Sequence, residues 1–146
     1  MWIHRVKYED YDGNERSREL YFNLTQSEII KLQNTVKGGI DSYYKTLLNE
    51  NDNVKIYECF EELVKLAYGK KSPDGENFNK SPEIFEEFKS SMAYDAFMEF
   101  LLTTEDGASR FITGIMPAKL MARLNTPEGK KIAAEAGIDT SLLKNN

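Results

Sequence analysis

The chain has 146 residues, 40% of them hydrophobic and 12% aromatic, enough for the core of one domain with no metal or disulfide staple. Its net charge of −5 argues against nucleic acid as a partner, because phosphate binding needs a basic surface. One cysteine, Cys59, excludes an internal disulfide, and no apolar run approaches the ~20 residues of a membrane span.

Residues 2–8 place Trp2, His4, Val6 and Tyr8 on one face and Ile3, Arg5 and Lys7 on the other, the period of a strand. No apolar run of ~7–15 residues, as in a signal peptide, opens the chain, so residence in a cytosol is expected. Asp10-Tyr11-Asp12-Gly13-Asn14 is turn chemistry. Residues 16–22 then alternate Arg18, Leu20 and Phe22 against Glu19 and Tyr21. An antiparallel β-hairpin over residues 2–22 is expected.

Thr25 and Glu28 have the spacing of a capping box, with Leu24 and Ile29 as a hydrophobic staple. They open a helix that Gly38-Gly39 should stop. Asp41 caps a second short helix carrying Tyr44, Leu47 and Leu48. After the polar break Asn51-Asp52-Asn53, Tyr57, Phe60, Leu63, Val64, Ala67 and Tyr68 line one helix face, ended by Gly69. Residues 70–77 read as a loop around Ser72-Pro73-Asp74-Gly75.

Ser81 and Pro82 open another helix, which kinks or restarts near Ser90-Ser91. Met92, Tyr94, Phe97, Met98, Leu101 and Leu102 mark the most hydrophobic helix. Thr103 or Thr104 caps the next, which stops at Gly114, ahead of Pro117. Thr126 opens a last short helix, and Lys144-Asn145-Asn146 should fray. The expected class is α+β, predominantly α: an N-terminal antiparallel hairpin followed by about six short helices. Residues 1–117 form the hairpin plus helical domain, and 118–146 a short helical extension with a frayed end.

Few residues invite chemistry. Asp10-Tyr11-Asp12-Gly13-Asn14-Glu15 resembles a calcium loop, but its Gly falls fourth rather than sixth and lies between strands. Gly69-Lys70-Lys71-Ser72 lacks the earlier Gly of a phosphate loop and follows a helix, so it reads as a helix stop. Glu58, Glu61, Glu62, Glu86, Glu87, Asp95 and Glu99 form the wet faces of helices, with Glu61 and Lys65 spaced as an i,i+4 pair. Cys59 sits in an apolar pattern, far in sequence from His4, the single histidine. No catalytic, cofactor-binding or metal-ligating residue is nominated, and no cofactor is expected.

Binding features are clearer. Phe97, Met98, Phe100, Leu101 and Leu102 cover more than one stripe of their helix, which makes it either central or shared with a partner. The hairpin offers an open strand edge, with Ile3 and Tyr21 on the face opposite Val6 and Leu20. Candidate protein-binding residues are therefore Ile3, Tyr21, Phe97, Met98, Phe100 and Leu101. The hairpin is the expected homo-oligomer contact and the helix over 92–102 the competing one. Arg5, Lys7, Arg16 and Arg18 count against the hairpin, because charges along a strand can guard its edge.

The order of these pieces carries a family resemblance. Its marks are Asp10 to Arg16 leading into Tyr21-Phe22-Asn23-Leu24-Thr25, then the block from Tyr68 to Ser81. Glu83, Phe88, Ser91, Ala93-Tyr94-Asp95, Phe97 and Leu101 follow, and the run from Phe111 to Pro117 closes it. Over about residues 1–117 the chain resembles small tail assembly chaperones of long-tailed phages and prophages of Gram-positive bacteria. The resemblance implies a non-catalytic protein that coats the tape measure protein in the bacterial host cytoplasm and keeps it soluble. It implies displacement as tail tube subunits polymerise, and absence from the mature virion. The tape measure protein is then the expected partner, the tail tube protein a second. Self-association is expected; nucleic acid and membrane are not. The alternative is a structural tail or connector protein retained in the virion.

Overall fold

Strands β1 (Trp2–Glu9) and β2 (Glu15–Phe22) form the antiparallel hairpin that the alternation predicts, with Ile3 opposite Tyr21, Arg5 opposite Glu19 and Val6 opposite Arg18. The structure is a computed structural model that describes residues 1–35 and 51–117. At the hairpin tip Asp10 Oδ1 accepts the backbone N–H groups of Asp12 and Asn14, both at 2.9 Å, and Gly13 takes a φ of +83°. Arg16 Nε donates to Asp10 Oδ2 at 2.7 Å, which holds that carboxyl below the usual carboxylate range.

The helices follow their caps. In α1 (Gln26–Thr35) Thr25 Oγ1 accepts the Glu28 N–H and Glu28 Oε1 accepts the Thr25 N–H, completing the capping box. Asp52 caps α2 (Asn53–Ala67), and Ser81 caps α3 (Pro82–Lys89) by accepting the Ile84 N–H at 3.1 Å. After a break at Ser90-Ser91 come α4 (Met92–Thr103) and α5 (Gly107–Ile115). Thr103 and Thr104 finish α4 instead of capping α5, which starts from Asp106 and runs through Gly114 to Ile115. The α+β class stands, with five helices among the described residues. The Gly38-Gly39 stop, the helices expected after Asp41 and Thr126, and the extension 118–146 lie outside them.

The stretch after α2 departs from expectation. Where the pattern predicts helix to Tyr68, a stop at Gly69 and then a loop, the chain forms β3 (Tyr68–Lys71) and, after a tight turn, β4 (Phe78–Asn79). The sheet order is β1-β2-β3-β4, with Phe22 opposite Tyr68 and Lys71 opposite Phe78. Strands of four and two residues are too short to show a period. Gly69 works here by close approach: a β-carbon on it would lie 2.7 Å from the Phe78 ring and 2.8 Å from the Asn79 carbonyl oxygen.

Val6, Leu20 and Phe22 turn the inner face of the sheet onto the helices. Phe22 stacks on Phe97 of α4 with centroids 4.6 Å apart and meets Phe111 of α5 edge-on. Helix α4 packs on β1, α2, α3 and α5, so its broad apolar surface marks a central helix, with Asp95, Glu99 and Leu102 left exposed. Lys80 ties the other side together. Its Nζ donates to both Glu28 carboxylate oxygens and to the carbonyls of Asn23 and Leu66, all within 2.9 Å.

Candidate protein-binding surface

Of the six residues that the sequence nominates, the structure brings Ile3 and Tyr21 together as a cross-strand pair on the outer face of the hairpin. Ile3 is 52% exposed there. Tyr21 is half-buried; its hydroxyl donates to Glu19 Oε2 at 3.0 Å, and Arg5 donates to Glu19 Oε1 at 3.2 Å. The Tyr21 hydrogen bond, helped by Arg5, lowers the Glu19 carboxyl below its ordinary range. The outer face therefore carries one apolar pair beside a small ordered polar network. Lys7 is exposed with no acidic partner among the described residues.

Phe97, Met98 and Leu101 lie in the core, while Phe100 is half-buried at its rim. His4 is stacked between Phe100, with ring centroids 4.3 Å apart, and Trp2, at 5.1 Å. The Arg110 guanidinium lies over the Phe100 ring at 5.6 Å. Burial, and then the nearby Arg110 charge, push the His4 imidazole below its ordinary value. Across the hairpin Leu20 and Phe22 are fully buried, whereas their partners His4 and Trp2 are half-buried. At this end of the hairpin the inner face thus grows shallower toward β1, and Trp2, His4, Phe100 and Arg110 form an aromatic, cationic rim there, while Val6 further along the strand is buried. The alternation of β1 places Trp2 and His4 on the inner face but is silent on the rim, because Phe100 and Arg110 reach it from distant helices.

Among the described residues no group of three or more His, Cys, Asp or Glu side chains is placed to hold a metal. Burial, helped by Glu62, pushes the Cys59 thiol up to about 11, away from the reactive thiolate. Of the carboxylates read as wet helix faces all are exposed except Glu61, which accepts the Tyr94 hydroxyl at 3.0 Å and pairs with Lys89 at 3.8 Å instead of Lys65. No described helix is long and apolar enough to cross a membrane.

Comparison with known proteins adds one match. A family model described as phage tail assembly chaperone matches residues 1–144, well beyond the 1–117 over which the motifs carry the resemblance. Nothing among curated proteins or solved structures matches significantly.

Proposed function

Because this chain belongs to the phage tail assembly chaperone family, we propose that it binds the tape measure protein during tail morphogenesis and keeps it soluble. The family match over residues 1–144 is the observation that carries this reading. The protein acts without catalysis, in the cytoplasm of the bacterial host, and leaves before the virion matures. Its other contacts are with further copies of itself and with the tail tube protein. A long client needs many copies of modest affinity, so that avidity holds the coat while each copy stays releasable. The outer hairpin face suits such a contact: the Ile3–Tyr21 pair supplies apolar area, framed by Arg5, Lys7 and Glu19.

Co-expression with the tape measure protein tests the proposal. The expected result is that the tape measure protein stays soluble and co-purifies with this chain, and that it precipitates when expressed alone. A tape measure protein equally soluble without the chain would overturn the reading. Mass spectrometry of purified particles separates the alternative, since abundant peptides from this chain would make it a component of the tail.

A further inference from the structure

The hydrogen bonding of the hairpin fixes what β1 shows to its open side. The Asp10 N–H donates to the Asn14 carbonyl at 2.9 Å, so even-numbered residues of β1 turn their backbone groups toward β2. The N–H and C=O groups of Ile3, Arg5 and Lys7 point the other way. Strand β1 is the last in the sheet order, and among the described residues no backbone group meets them. Strand edges of this kind accept an added strand.

The side chains restrict what can be added. On the outer face a new strand would lie beside Ile3, Arg5 and Lys7, with Glu9 closing the row. Arg5 keeps further N–H groups beyond the one it gives Glu19, and Lys7 has no acidic partner among the described residues. On the inner face its side chains would meet the half-buried rim of Trp2, His4 and Phe100. A second copy of β1 fits poorly. In an antiparallel pairing that keeps inner faces together, a register centred on Arg5 sets it against Arg5 of the other copy. A register centred on Val6 sets Arg5 opposite Lys7 twice. Like charges directly opposite destabilise a pair of strands. A register centred on His4 avoids like pairs but sets Arg5 against Ile3 and Lys7 against Met1, which offers neither cation an acid.

We propose that the β1 edge binds an extended segment of another protein, one that alternates acidic and apolar residues, as an added fifth strand. Its acidic side chains pair with Arg5 and Lys7, its apolar ones cover the Trp2–His4–Phe100 rim, and backbone hydrogen bonds to Ile3, Arg5 and Lys7 fix the register. This rests on the reading above only in taking the partner to be a protein.

The test uses the full chain and three hexapeptides: Glu-Val-Glu-Phe-Glu-Val, its lysine counterpart Lys-Val-Lys-Phe-Lys-Val, and the non-alternating Glu-Glu-Glu-Val-Phe-Val. Amide NMR reads Ile3, Arg5 and Lys7 directly, and emission from Trp2, the single tryptophan, reports on the rim. The alternating acidic peptide is expected to slow exchange at those three amides and shift the Trp2 emission. The lysine peptide should do neither, and the non-alternating one should bind more weakly. Lys7→Glu should weaken the acidic peptide roughly threefold to fivefold and admit the lysine peptide. Binding indifferent to charge sign, or no binding at millimolar peptide, overturns the proposal. So does protection of those amides in the free chain: if it rises with concentration a second copy fills the edge, and if not, the chain's own residues do. Undiminished capture of the tape measure protein by the Lys7→Glu chain would reject the edge as its site and leave the chaperone reading standing. A chain that takes the peptide but never the tape measure protein would do the reverse.

Discussion

The indole of Trp2 occupies the space where a β-carbon on Gly114 would sit, only 2.5 Å from the indole Cγ. The absence of a side chain at Gly114 is what lets the first residues of the hairpin close over α5. Gly114→Ala should therefore destabilise the fold by about 2 kcal/mol, since neither the indole nor the helix backbone can move aside freely. Urea unfolding followed by Trp2 emission would measure it. An unchanged midpoint would show that the indole packs elsewhere.

Lys80 offers a second test. Its side chain is only 21% exposed, and its ammonium serves Glu28 and two main-chain carbonyls. Lys80→Met leaves these acceptors without their donor, and the expected loss is about 2–3 kcal/mol. Glu28→Gln keeps an acceptor for the Thr25 N–H and should lose less. A double-mutant cycle should then show positive coupling between positions 28 and 80, and additive losses would contradict the clamp.

The lowered His4 value makes stability depend on pH in a defined direction. Folding favours the neutral imidazole, so the unfolded chain binds more protons below the ordinary value of 6.5. Stability is fully present above pH 6.5 and is lost progressively as pH falls toward the lower folded value. The lowered carboxylates, such as Asp10 and Glu19, act in a separate window, because theirs is lost only below their ordinary values of 3.8 and 4.5. Urea midpoints between pH 5 and 8 should slope upward for the native chain and flatten for His4→Phe. Equal slopes would assign the effect to other groups.

Ile3→Lys tests the outer face. The side chain is exposed and opposite Tyr21, so the change should move stability by less than about 0.5 kcal/mol. Retention of the tape measure protein in a pull-down should nevertheless fall, because a cation replaces the exposed apolar half of the pair. Full retention would direct attention away from this face.

How far the sequence predicts these features depends on how local each one is. Eight-residue strands show their alternation, so the Ile3–Tyr21 face is legible in the order of residues alone, as are the Thr25–Glu28 and Ser81 caps. The strand Tyr68–Lys71 is not, because it follows a helix without a break and carries a glycine that reads as a stop. The Lys80 clamp is equally silent, since two of its acceptors are main-chain carbonyls that any residue supplies. An α4 apolar over more than one stripe fits a central helix and a shared one alike. Only its neighbours decide, and they place Phe97, Met98 and Leu101 inside.

Closure by α5 also sets a clock on synthesis. The Leu24 N–H donates to the Ile115 carbonyl at 3.0 Å, and Trp2 waits for Gly114, so the hairpin and the segment after it are satisfied by residues made well after them. At about 5–20 residues per second, the hairpin emerges from the ribosome roughly 5–20 s before its cover exists. During that interval Val6, Leu20 and Phe22 face solvent on a nascent ribbon whose edge is also unpaired. A protein whose family assists tail assembly thus passes through its own aggregation-prone stage on every round of translation.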